Sequence, residues 1–216
     1  MERTISVNGT GSLHIQPDLT VVSFVLKTLD KDYDKAVLDA ARKLEMLQNA
    51  LADKGFEKKQ MKTTSFKVNT HSHSERDENG RSVMVFDGYM SIHYLKLEFD
   101  FDTKMLSAVL GAITASIAEP ELNIAFTVKD RSAVNIALLK SAAQNARQKA
   151  EILTSASGAS LGKLISVYSG QTGHNLYSPT RYENEMCECS AVGVNIDIMP
   201  DDIDVEDSIS FVWEIE

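Results

Sequence analysis

The sequence predicts an α+β protein, with largely antiparallel sheets and three amphipathic helices packed on one face. Three observations carry that prediction. Apolar residues alternate with period two in several stretches, Asp18–Lys27 most cleanly. Three other stretches repeat apolar residues at spacings of three and four. The order strand–helix–strand occurs twice, over 19–68 and again over 89–128, as expected of helices laid on an antiparallel sheet.

Taken in order, Thr4–Val7 reads as a first strand. The Asn8-Gly9-Thr10-Gly11 cluster predicts a bend or bulge, because these residues tolerate positive φ. Ser12–Ile15 resumes extended structure, and Pro17 marks a break. In the next strand Val22, Phe24 and Leu26 share one face. A helix follows, capped by Asp30 or Asp32, with Val37, Ala41, Leu44, Leu47 and Leu51 as its stripe and Gly55 at its end. Lys62–Asn69 and Val83–Phe101 form a long hairpin around the polar stretch Thr70–Ser82, whose Asn79-Gly80 step signals the turn.

Within the hairpin's other arm Tyr89, Ser91, His93, Leu95, Leu97, Phe99 and Phe101 share a face, and Met90, Ile92 and Tyr94 share the opposite one. Thr103–Ala118 is the next helix, with Asp102 or Thr103 as cap and Leu106, Val109, Leu110, Ile113 and Ile117 as its stripe. Pro120 stops it, and Leu122, Ile124, Phe126 and Val128 alternate in a further strand. Ser132–Ser157 is the longest helix, roughly 39 Å at 1.5 Å per residue. Its expected stripe is Ile136, Leu139, Ala143, Ala146, Ala150 and Leu153, and Gly158 ends it. Leu164–Tyr168 is a strand. Gly170–Ser190 reads as a long loop, and Ala191–Met199 and Ser208–Glu216 as closing strands. The 216 residues form a single domain, 1–216, with two subdomains envisaged at about 1–70 plus the C-terminal strands and about 83–168.

Composition narrows the function. The net charge is −9, which argues against nucleic acid, because phosphate binding needs a clustered positive field. No apolar run is long enough for a transmembrane helix. The start MERTISVNG enters strand pattern at once, without a basic and then apolar leader. A cytoplasmic location is the expectation, with a periplasmic or secreted one the alternative if a signal peptide has been removed. Cys187 and Cys189, one residue apart, fit thiols in a reducing compartment better than a disulfide.

Candidate sites are few. His71 and His73 alternate, so on a strand both point the same way and could hold a metal; a solvated hairpin tip is the default reading of this polar stretch. Cys187 and Cys189, with Glu185, Glu188 and His174, could supply thiolate ligands, although a zinc site normally shows two such cysteine pairs. Asp197, Asp201, Asp202, Asp204, Glu206 and Asp207 crowd the C-terminus without EF-hand spacing, as a solvated acidic turn would. Gly9-x-Gly11 lacks the helix and the Lys-Ser/Thr of a phosphate loop. His93, among strand aromatics, fits a core or interface position. No nucleophile elbow or zincin pair occurs, so no catalytic residue and no cofactor is assigned.

The chain resembles the SIMPL domain family of bacteria and animals. The carrying residues are Ile5-x-Val7-x-Gly9-x-Gly11, Pro17-Asp18, the Val21–Leu26 strand, Gly55 and Thr63-Thr64. Ala142, Ala143, Ala146, Lys149 and Ala150 follow, ahead of Gly158 and Leu161-Gly162. Pro200 and the final Val212-Trp213-Glu214 strand complete the match. The resemblance implies a non-enzymatic protein that acts through self-assembly or protein binding, in the manner of ring-forming periplasmic members, oxidative-stress members and a mammalian member that binds a pelle-like kinase. A homo-oligomer, a protein partner and a part in a stress response are therefore expected. The alternative is a metal- or redox-responsive protein using His71/His73 or Cys187/Cys189.

Overall fold

The computed structural model describes residues 3–116, 118–170, 173–184 and 198–216. Among these residues are eight strands and three α-helices: β1 (Thr4–Ile15), β2 (Leu19–Asp30), α1 (Tyr33–Ala52), β3 (Lys62–Arg76), β4 (Ser82–Asp100), α2 (Thr103–Ala115), β5 (Glu121–Thr127), α3 (Arg131–Ala156), β6 (Leu161–Ser169), β7 (Tyr177–Asn184) and β8 (Ile203–Ile215). The fold class is α+β, as expected. The strands form a three-stranded sheet in the order β1-β8-β6 and a five-stranded sheet in the order β3-β4-β2-β5-β7.

The chain divides into two compact units: Met1–Pro17 with Thr127–Pro179 and Asp201–Glu216, and Asp18–Phe126 with Thr180–Pro200. The division envisaged from the sequence, about 1–70 plus the C-terminal strands and about 83–168, keeps β1 with the C-terminal strand but cuts through the five-stranded sheet. The long β3–β4 and β2–β4 pairings hold 18–70 and 83–126 in one sheet, while β1 pairs with the C-terminal β8. Both strand–helix–strand repeats, β2-α1-β3 and β4-α2-β5, fall in the unit built on Asp18–Phe126.

In that unit, α1 and α2 cover one face of the sheet. Val22, Phe24 and Leu26 of β2, Leu95 and Leu97 of β4, and Ile124 and Phe126 of β5 meet Leu47, Leu51, Leu106 and Val109 of the helices in one core. Each such side chain contributes about 1.5–3 kcal/mol on burial. The helices start at aspartates: Asp32 Oδ1 accepts from the Asp34 and Lys35 amides, and Asp102 Oδ1 from Lys104 and Met105. The stripe of α1 runs through Ala36, Ala40, Leu47 and Leu51, so its first half is turned by one residue from the expected Val37 and Ala41. In α2 the expected stripe holds at Leu106, Val109, Leu110 and Ile113; Ile117 lies outside the described residues.

In the other unit, α3 lies along β1 and β8. Its buried residues are Val134, Leu138, Ala142, Ala146, Ala150 and Thr154, a strict repeat of four. The expected stripe through Ile136, Leu139 and Leu153 is therefore corrected: all three are exposed. Backbone approach decides this, not hydrophobicity. The expected bend at Gly9 and Gly11 is also absent, since β1 runs unbroken. A Cβ on Gly9 would lie 2.0 Å from the Ala142 carbonyl oxygen, and one on Gly11 2.3 Å from that of Leu138. The glycines let helix backbone press onto strand backbone, and the helix turns its small residues toward them. Gly158 ends α3 at positive φ, and the Ala159 amide donates back to the Thr154 carbonyl.

Two further expectations are corrected. The stretch expected to be loop from Gly170 contains β7, where Tyr177, Thr180 and Tyr182 favour a strand and Pro179 is tolerated because, among the described residues, the strand stands at the end of its sheet. The polar stretch Thr70–Ser82 is mostly strand. The turn proper occupies 77–81, where Asp77 Oδ1 accepts from the Asn79 and Arg81 amides. The expected strand Ala191–Met199 falls largely on 191–197, outside the described residues.

Candidate functional site

The β3–β4 hairpin outruns the sheet that carries it. β2 pairs with β4 from Leu19↔Asp100 to Asp30↔Tyr89 and then ends. β3 and β4 continue together from His71↔Gly88 to Arg76↔Ser82. Residues 71–87 are therefore a two-stranded arm with no third strand beside it among the described residues. Its base is fixed tightly. Gly88 has φ +147°, and a Cβ there would lie 2.4 Å from the Asp30 carbonyl oxygen, so only glycine fits where the arm leaves the sheet. Phe86, Tyr89 and Tyr33 form a row of edge-on rings across that base, with centroids 5.5 and 5.6 Å apart.

The register shifts between His71 and Ser72, which makes Asp87 an extra residue on β4. Beyond the bulge, Ser72↔Phe86 and Ser74↔Met84 define one face, and His73↔Val85 and Glu75↔Val83 the other. The former shows apolar surface: Met84 is 71 % exposed and Phe86 48 %. The latter gathers the two histidines that the sequence singled out. His71 Nδ1 stands 2.8 Å from Asp87 Oδ2, and His73 Nδ1 stands 2.5 Å from Asp87 Oδ1. Burial pushes the Asp87 acid up, but the hydrogen bonds and charges of His73 and His71 outweigh it and hold the carboxyl below its ordinary range. An ionised carboxylate only accepts, so both Nδ1 atoms carry the proton. Period two in His71-x-His73 was legible in the sequence. Asp87 was not, because nothing in the sequence marks the bulge that turns it toward them.

The other candidates disperse. Cys187, Cys189, Glu185, Glu188 and Asp197 lie outside the described residues. His174 instead faces Asp207, at 3.3 Å and largely buried. Of the C-terminal acids, Asp201 and Asp202 precede β8, Asp204 and Glu206 lie on its exposed face and Asp207 on the other, with Asp204 hydrogen-bonded to His14 across the β1–β8 pair. His93 is a core residue: it is buried, its Nε2 is 2.9 Å from Thr63 Oγ1, and Phe66 meets its ring edge-on. Burial lowers its pKa from the usual value. A groove of about 360 Å³ lies between α3 and the β6–β8 pair, floored by the stacked Phe211 and Trp213 and rimmed by the Arg147–Glu151 ion pair. Among the described residues no helix is long and apolar enough to cross a membrane.

Comparison with known proteins adds a family. The model of the SIMPL family, described as a protein of unknown function (DUF541), matches residues 5–213. No curated protein matches the chain. One similar solved structure is an uncharacterized conserved protein from Listeria innocua, 9 % identical, covering 96 % of this chain and 92 % of that one at a TM-score of 0.22. A likeness that weak bears on neither fold nor function.

Proposed function

The chain belongs to the SIMPL family, and from that premise we propose that it is a non-enzymatic protein that works by association, first of all with further copies of itself, through the β3–β4 arm. The observation that supports this is the arm's Met84–Phe86 face. A two-stranded ribbon is marginal by itself. Exposed strands are ordinarily blunted by charge, proline or a covering element. Here the ribbon extends past its sheet and shows a methionine and a phenylalanine instead. Another copy offers the same face, so an isologous contact can cover both. Aromatic and methionine side chains are the types enriched where such contacts form. The half-buried Met90, Ile92 and Tyr94 lie on the other face of β4, the face that His71 and His73 share, and are not part of this surface. A place in a stress response is proposed on the family resemblance alone.

Light scattering over a dilution series tests the reading. The expected result is a mass that is a multiple of 23.8 kDa and falls on dilution. A mass of 23.8 kDa at every concentration would sink it.

A further inference from the structure

We infer that the outer edge of β3 is a docking strand for an extended acidic peptide of a partner protein. The peptide adds to the five-stranded sheet beside 65–71, with its carboxylates against Lys62 and Lys67 and its apolar side chains against Phe66 and Val68. This edge is separate from the Met84–Phe86 face, and either can fail without the other.

The inference starts from pairing. β3 stands at the end of the sheet order β3-β4-β2-β5-β7, and among the described residues only β4 pairs with it. From Ser65↔Tyr94 to His71↔Gly88 the register is unbroken, and its shifts fall at either end of that run, at Thr63/Ser65 and His71/Ser72. β3 contains no proline. Alternate residues of the run therefore point N–H and C=O away from β4, at the spacing that an added strand needs. Strand addition takes its affinity from such main-chain bonds and its specificity from side chains at alternate positions.

Those side chains sort by face. Lys62, opposite Lys96, and Lys67, opposite Ile92, stand on one. Phe66, opposite His93, and Val68, opposite Ser91, stand on the other, which the helices cover further in. Phe66 is 45 % exposed and Val68 half-buried, so that face ends in a small apolar shelf. The charge is local as well. Residues 58–74 hold Lys58, Lys59, Lys62 and Lys67 and no aspartate or glutamate, in a chain whose net charge is −9. Further into the sheet the lysines are matched: Lys27 meets Glu121, and Lys96 meets Glu98. Lys59 meets Glu57, and Lys67 lies over the Tyr94 ring, 5.8 Å from its centroid. Among the described residues no carboxylate pairs with Lys58, Lys62 or Lys67.

Charge selects the occupant. A second copy of β3 would bring lysine beside lysine, and edge lysines oppose that pairing. An acidic strand meets the same lysines as cross-strand ion pairs. A nucleic acid would answer the lysines and leave the main-chain edge and Phe66 unused. Carboxylates alternating with apolar residues match both faces of the edge at once.

The test uses the full chain and a fluorescein-labelled heptapeptide that alternates glutamate and valine, followed by fluorescence anisotropy at about 50 mM salt, where screening is modest. Saturable binding of one peptide per chain is expected. Lys62→Glu with Lys67→Glu should weaken it at least about tenfold, and that variant should bind the corresponding lysine–valine peptide instead. Lys62→Gln with Lys67→Gln, both on exposed side chains, should weaken the glutamate peptide without reversing the charge. The Met84→Glu/Phe86→Glu variant should bind it as the parent does. The diastereomer with D-valine keeps charge and composition but cannot present its two residue types on opposite faces of a strand, and should bind at least about tenfold more weakly. Absence of saturable binding to the parent overturns the site. So do equal binding of the two diastereomers and full-strength binding by both lysine variants. Tighter binding of a single-stranded oligonucleotide of equal charge overturns it in favour of a general polyanion site.

Discussion

The contact of α3 with β1 and the arm of β3 and β4 lie at opposite ends of what packing can demand. At Gly9 and Gly11 a helix backbone lies so close to a strand that not even a methyl group fits. Along 71–87 the chain leaves its sheet, and among the described residues each strand of the arm pairs only with the other. The tight contact has a sequence that suggests a ligand loop, Gly-x-Gly, and its role is backbone approach. The arm has the composition of a polar loop, and it carries two histidines, a re-aimed aspartate and an exposed apolar pair. Glycine pairs and polar runs therefore mislead in opposite directions until the element beside them is known.

The sharpest way to break that contrast is to add one carbon at the tight contact. Gly9→Ala should cost about 3 kcal/mol or more, because a helix backbone cannot give way as a side-chain end can. Urea denaturation measures it, and a loss under about 1 kcal/mol would show that α3 shifts freely. Excising the arm sharpens the same contrast from the other side. Replacing 71–87 by a short turn should leave the stability of the remaining chain within about 1 kcal/mol of the parent, since none of the residues of that unit's core comes from the arm. Global unfolding of that variant would show the arm to be part of the core.

A smaller effect comes from His93. Burial depresses its folded-state pKa below the usual 6.5. The unfolded chain then binds the proton more readily, so stability is full above about pH 6.5 and declines as pH falls from there toward the folded value. The urea midpoint of the parent should fall further between about pH 7.5 and 5.5 than that of His93→Gln. Equal declines would assign the pH dependence to other groups. Smallest of all is Thr20, fully buried on β2 with a hydroxyl that has no hydrogen-bond partner among the described residues. Thr20→Val should be neutral or stabilising by roughly 0.5–1 kcal/mol in the same assay, and a clear destabilisation would reveal an unseen partner.

Much of the fold was legible because alternation and caps are local. Val22, Phe24 and Leu26, the Asp32 and Asp102 caps, and the core face from Ser91 to Phe101 all follow from neighbours in sequence. The stripe of α3 was not legible. Ile136, Leu139 and Leu153 are more apolar than Ala142 and Ala150, yet the glycines of a distant strand select the small residues. At the candidate site His71 and His73 could be paired from spacing, whereas Asp87 needed a register shift that only the paired strands reveal.

Light scattering of the parent beside a Met84→Glu/Phe86→Glu double variant tests the role of the arm most directly. Both substitutions lie on exposed side chains, so circular dichroism should not change. The parent is expected at a multiple of 23.8 kDa and the variant at 23.8 kDa under the same conditions. A parent that is already monomeric, or a variant that keeps the parent's mass, would contradict association through the arm.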